Sequence, residues 1–291
     1  MSDTTHNNGE RTGLYRFTSI ARPIDPSYLT NRALLYALPV LGVLGAVVAV
    51  TTGQGDEALR IAFTGMLVSF IAWAFTRDLA PDYVETAFVA LGLAWLGSLA
   101  FGTDKVLVVF AVLLLLRVVN RTTGLPLTWF DTASVLGFVG YTSMQTGQPL
   151  LVLLMALAFA LDGLLHQPLR RHLAAAAVCL PLFAWLVANA PGFALVQLAL
   201  VDWVLLALAL LGGAVFVVLS PEPISYYDNA YDRLDLGRVN ASFLIGLLAG
   251  LQAVVTLGPT AWFETPIWAC LFAVLLSFVV RKFFDWKATV S

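Results

Sequence analysis

The chain has 291 residues, 59% of them hydrophobic and only 12% charged, with a formal net charge of −2. A soluble domain carries about 25% charged residues, so a cytosolic enzyme, a secreted disulfide scaffold and a disordered linker are all excluded. No basic field exists to recruit nucleic acid. The composition is that of an all-α, polytopic integral membrane protein whose first partner is the lipid bilayer.

Residues 1–32 read as a polar amino-terminal tail with Arg11, Arg16, Arg22 and Arg32. It lacks an apolar core followed by a cleavage site, so it is expected to be retained and mobile up to about Ser19. A crossing helix needs about 20 mostly apolar residues. Ten stretches qualify: 33–52, 58–76, 84–102, 104–119, 127–146, 149–165, 171–189, 194–219, 241–257 and 261–280. Together they make one transmembrane helical domain over 33–280, with a loop at 220–240 and a short tail over 281–291. Connections after odd spans are short and turn-like (52–56, 102–104, 147–148, 191–192, 258–259), which predicts tight helical hairpins.

Connections after even spans carry the polar chemistry. Of the 16 Lys and Arg, all but Arg60 and Lys105 fall there or in the tails. Cationic residues stay on the cytoplasmic side, so both termini are expected in the cytoplasm of a multi-pass cell-membrane protein. Trp129, Trp262, Trp268 and Trp286 fall near span ends, where the ring prefers the interface. Trp73, Trp95, Trp185 and Trp203 sit deeper and read as packing residues. Gly246 and Gly250 allow close helix approach. Pro39, Pro181 and Pro266 fall inside spans, where each removes a backbone donor. Cys179 and Cys270 lie in apolar runs and read as small apolar side chains.

Ionisable groups inside a membrane are costly and therefore candidate functional residues. Asp202, about eight residues into the eighth span, is expected roughly 12 Å from its outer end and is the candidate intramembrane site. The cytoplasmic rim is richer. Arg77, Asp78 and Asp82 lie between spans two and three; Arg117, Asn120, Arg121 and Asp131 lie around the next loop; Asp162 ends the sixth span. The longest loop carries Asp228, Asp232, Arg233 and Asp235, and Asp228 and Asp232 share a face if that stretch is helical. Carboxylates brought together by the bundle would suit Mg²⁺, and the arginines would suit a phosphate. The bland alternative is a set of solvated pairs that fix topology. His166 and His172, flanking Arg170 and Arg171, do not make a metal site by themselves.

Asp228-Asn229-Ala230-Tyr231-Asp232-Arg233-Leu234-Asp235 resembles the aspartate-rich motif of the UbiA-type membrane prenyltransferases, N-D-x-x-D-R-x-x-D. Here the first two residues are exchanged and the last spacing is one short. The motif follows the eighth span rather than the second. The resemblance implies an all-helical fold holding Mg²⁺-pyrophosphate between two Asp-rich cytoplasmic loops, with Asp78 and Asp82 as the second. Ten spans with both termini inside is also similar in architecture to the drug/metabolite transporter superfamily. Three readings follow: a small-solute permease, which leads; a membrane-embedded transferase acting on a lipid or isoprenoid phosphate at the cytoplasmic face, with Mg²⁺ as cofactor; and a non-catalytic assembly or scaffold subunit.

Overall fold

A computed structural model describes residues 13–102, 106–189, 195–229, 231–264 and 266–290. The expected turns at 102–104 and 191–192 lie partly or wholly outside the described residues. Eleven α-helices occur among these residues: α1 (Leu29–Thr51), α2 (Ala58–Leu79), α3 (Val84–Phe101), α4 (Val106–Asn120), α5 (Trp129–Thr146), α6 (Leu150–Leu164), α7 (Arg171–Asn189), α8 (Leu200–Leu219), α9 (Leu236–Leu257), α10 (Ala261–Glu264) and α11 (Pro266–Val290).

All ten apolar stretches are helical, but their ends move for local reasons. Helix α9 starts at Leu236 rather than 241 because Asp235 caps it, accepting from the Arg238 backbone N–H at 2.8 Å. Helix α8 starts at Leu200 rather than 194, and α1 starts at Leu29, four residues inside the expected tail. The tenth stretch is helical on both sides of residue 265, as α10 and α11, and whether Pro266 lies inside one helix falls outside the described residues. Pro39 and Pro181 do lie inside α1 and α7. Helix α11 continues through the expected carboxy-terminal tail.

Seven of the helices (α1, α2, α3, α7, α8, α9 and α11) are long and apolar enough to cross a membrane. Helices α4 and α6, at 15 residues, rise about 22 Å against roughly 30 Å of hydrocarbon. The surface agrees with a lipid surround. Helix α8 exposes Val201, Trp203, Leu208, Leu211 and Val218, and α1 exposes Leu35, Tyr36, Val43 and Val47. In water such faces would associate; in lipid they meet their own kind. The chain is a helical, multi-pass membrane protein.

Helices α4 and α9 form the centre. Helix α4 packs on α2, α5, α6 and α9, and α9 also meets α2, α6, α8 and α11. Small residues let α9 serve that many neighbours: a Cβ at Gly246 would stand 2.9 Å from Leu79 of α2, and one at Gly250 3.0 Å from Trp268 of α11. Tryptophan burial departs from expectation. Trp262 and Trp268 are buried with ring centroids 4.3 Å apart, whereas Trp185 and Trp203 are half-exposed on the lipid-facing side. Hydrogen-bond capacity does not separate these cases; the neighbours supplied by α3 and α9 do.

Candidate functional site

The described part of the amino-terminal segment is no loose tail. Thr128 N-caps α5 through a capping box with Asp131, and the Asp131 carboxylate has acceptor capacity to spare. It takes hydrogen bonds from the Ser19 N–H and hydroxyl, both at 2.9 Å, and from the Thr18 hydroxyl at 2.5 Å. Thr123 and Thr128 donate to the carbonyls of Ser19 and Phe17, and Arg117 to that of Ile20. Ser19 and Ile20 are buried. Residues 17–22 therefore form an arm strapped across one end of the bundle.

The strap delivers Arg22 to Asp78. Asp78 is wholly buried in the last turn of α2, beside Arg117 Nε of α4 at 3.0 Å and Arg22 Nη1 at 3.4 Å. Its backbone carbonyl accepts from Asn120 and Ser242. The other edge of the Arg22 guanidinium grips Asp228 with two parallel bonds of 2.7 Å. Burial pulls the Arg22 pKa down, but Asp78 and Asp228 more than reverse this and hold it above its ordinary value.

These groups surround a cavity of about 570 Å³, inside the size range of small-molecule sites. Its walls come from four segments distant in sequence: the arm and start of α1 (Tyr15, Arg22, Asp25, Tyr28, Asn31), one face of α2, the end of α4 with Thr122, and the loop before α9 (Ser225, Tyr226, Tyr227, Asp228). The α2 face is Phe70, Trp73, Ala74 and Arg77, spaced i, i+3, i+4, i+7. The cavity thus runs about 10 Å along the helix from the Arg77 mouth to the Phe70 floor. Arg77 is only partly exposed and makes no ion pair among the described residues; its guanidinium donates one long hydrogen bond of 3.4 Å to the Pro81 carbonyl.

A second charged centre ties the same end together without a cavity. Asp162 at the end of α6 is fully buried, 2.6 Å from Arg121 Nη2, 2.9 Å from Arg238 Nη1 and 2.6 Å from His172 Nδ1. Arg238 also donates to the carbonyls of Val119 and His166, and His172 Nε2 lies 2.9 Å from the Thr132 hydroxyl. Arg121 follows the end of α4 with φ +48°, left-handed backbone that side chains disfavour. Its bonds to Asp162 and to the Gln167 carbonyl hold it there.

The remaining predicted residues do other work. Asp82 sits past the end of α2, away from Asp78, and accepts the Ile224 and Ser225 backbone N–H groups and the Ser225 hydroxyl. The described residues of 225–235 are not helical: Tyr226 and Arg233 form an isolated antiparallel bridge, Asp232 is exposed, and Asp235 is the α9 cap. Asp228 and Asp232 therefore share no helical face. Asp202 lies in the first turn of α8, not at depth. It accepts from the Ala199 N–H and from Trp262 Nε1 at 3.1 Å, an acid suited to the positive end of its own helix. Among the described residues no three His, Cys, Asp or Glu groups come together to hold a metal. Asp78 faces two guanidinium groups where the resemblance would put a cation, so these residues do not fit Mg²⁺-pyrophosphate.

Sequence reasoning took Arg22 and Arg238 only as topology residues, weighed His172 only as a metal ligand, and left out Tyr15, Tyr28, Tyr226 and Tyr227. The one local signal was the Phe70–Trp73–Ala74–Arg77 spacing. No protein-family model matches the chain, and no characterised protein or solved structure shows significant similarity to it.

Proposed function

We propose that the chain is a ten-span protein of the plasma membrane, both termini cytoplasmic, and a permease for a small polar solute. The observation that carries the reading is the convergence of four distant segments on one cavity at the arginine-rich end of the bundle. By sequence, 14 of the 16 Lys and Arg fall in the tails and even loops, which belong on the cytoplasmic side, so the cavity is the inner mouth of the path. In this arrangement α4, α5 and α6 complete the ten crossings.

The test is a single engineered cysteine, Thr30→Cys, at the cavity wall. Cys179 and Cys270 are buried, so the new thiol is the reactive one. It should be labelled by a charged maleimide only from the cytoplasmic side. In proteoliposomes, counterflow measured over sugar, amino-acid and organic-anion tracers should appear with this protein and stop on labelling. Labelling from outside only, or a flux indifferent to labelling, refutes the reading. A second reading, a transferase on a lipid or isoprenoid phosphate, draws on the same cavity, whose arginine mouth and aromatic floor suit such a substrate. It predicts turnover that Arg77→Gln removes, with no flux.

A further inference from the structure

Arg77 poses a physical problem. Its guanidinium is held at the edge of an apolar helix with one weak hydrogen bond and no ion pair among the described residues. Arg22 stands close enough to repel it, while Asp78, Asp228 and Asp82 attract it without closing an ion pair. Asp82 is spent on the Ile224 and Ser225 N–H groups, and Arg117 lines the same cavity. A cation in a poorly solvated place is stabilised by a counter-ion. Asp78 cannot supply it, because that carboxylate is wholly buried and already shared by Arg117 and Arg22. Asp228 spends both oxygens on Arg22. The carboxylate–guanidinium fork there has the geometry with which arginine also takes a phosphate. Asp228 comes from an exposed loop, not from the bundle.

Below the charged mouth the cavity changes character. Phe70, Trp73 and Ala74 form the floor, with Tyr15, Tyr28, Tyr226 and Tyr227 around the walls. A ligand filling this space is charged at one end and apolar or aromatic at the other. The mouth presents three guanidinium groups, of which Arg22 and Arg117 share Asp78 and Asp228 and Arg77 has no ion pair among the described residues; a doubly charged, many-oxygened head that displaces Asp228 can reach all three.

We infer that the cavity binds a phosphate monoester with an apolar body, without a metal, through Arg22, Arg77 and Arg117, and that Asp228 occupies the place of the phosphate on Arg22 until the ligand arrives. The inference rests on the cavity being the ligand site of the permease reading; lipid headgroups and soluble esters carry the same phosphate, so both sources enter the test.

The purified protein is titrated with hexyl phosphate, inorganic phosphate and hexanol, by calorimetry in detergent. Hexyl phosphate should bind, hexanol should not, and inorganic phosphate should bind more weakly, by roughly fourfold for each methylene that reaches the floor. Arg77→Gln should weaken hexyl phosphate at least about tenfold. Asp228→Asn, an exposed change that leaves the bundle intact, should tighten it severalfold by freeing the Arg22 fork. In nanodiscs, stabilisation by phosphatidic acid over phosphatidylcholine, competed by hexyl phosphate, identifies a lipid source; hexyl phosphate binding unaffected by phosphatidic acid identifies a soluble one. No binding of hexyl phosphate, unchanged binding in Arg77→Gln, or weaker binding in Asp228→Asn overturns the inference. Should Arg77→Gln fail to fold, Asp228→Asn decides. Binding without counterflow removes the permease reading and leaves this one standing; counterflow blocked at residue 30 without phosphate binding does the reverse.

Discussion

Replacing Asp162 by Asn keeps the size of the side chain and removes its charge. In the wild type that one carboxylate faces Arg121, Arg238 and His172, with the carboxylate and the His172 side chain wholly buried and the two guanidinium groups only 6% and 2% exposed. Asn retains one acceptor oxygen and turns an NH₂ toward donors. Two buried guanidinium groups then lose the one negative partner they have among the described residues, and breaking such a pair costs about 3–5 kcal/mol. That exceeds the roughly 0.5–3 kcal/mol of ordinary substitutions. With a fall of roughly 2–4 °C per kcal/mol for a long chain, the melting temperature should drop about 6–20 °C, read by thermal denaturation in detergent. Adding Arg238→Leu to Asp162→Asn should recover part of the loss, because it removes one orphaned cation, giving a non-additive cycle. A loss below about 1 kcal/mol, or a double variant that sums its singles, refutes the assignment of Asp162 as the anchor of this end.

Three further outcomes follow from the packing and the strap. Arg121→Gly should destabilise less than Arg121→Ala by about 1 kcal/mol, since both lose the ion pair but only glycine relaxes the φ of +48°; chemical denaturation compares them. Asp131→Asn should release the arm held through Thr18 and Ser19, so trypsin should cut after Arg16 faster than in wild type while the helical circular dichroism is kept. Gly250→Val should cost about 1–3 kcal/mol because its Cβ would stand 3.0 Å from the buried ring of Trp268, whereas Gly92→Ala, with nothing within 4 Å, should stabilise by roughly 0.5–1 kcal/mol.

What the order of residues settled by itself is whatever depends on local and bulk properties. The ten apolar stretches are helical over most of their length, seven of them long enough to cross a membrane, because an apolar surround leaves the backbone no partner but itself, and the clustering of cations is visible in the loops. The caps were partly legible as well: Thr128 with Asp131 three residues on is a capping-box pattern. Asp202 misled because helix start and apolar start differ. The segment 195–199 is apolar without being helical, pairing its Val196 N–H with the Val255 carbonyl, and that shift moves Asp202 from depth to a helix end. Which charge meets which was decided only by the tertiary structure. Asp162 finds Arg121 and Arg238, 41 and 76 residues away, and Arg22 finds Asp228 across 206, because α4 and α9 pack side by side at the centre and the arm folds back over them. No spacing rule encodes such meetings; they arise from helix packing, and with them the cavity.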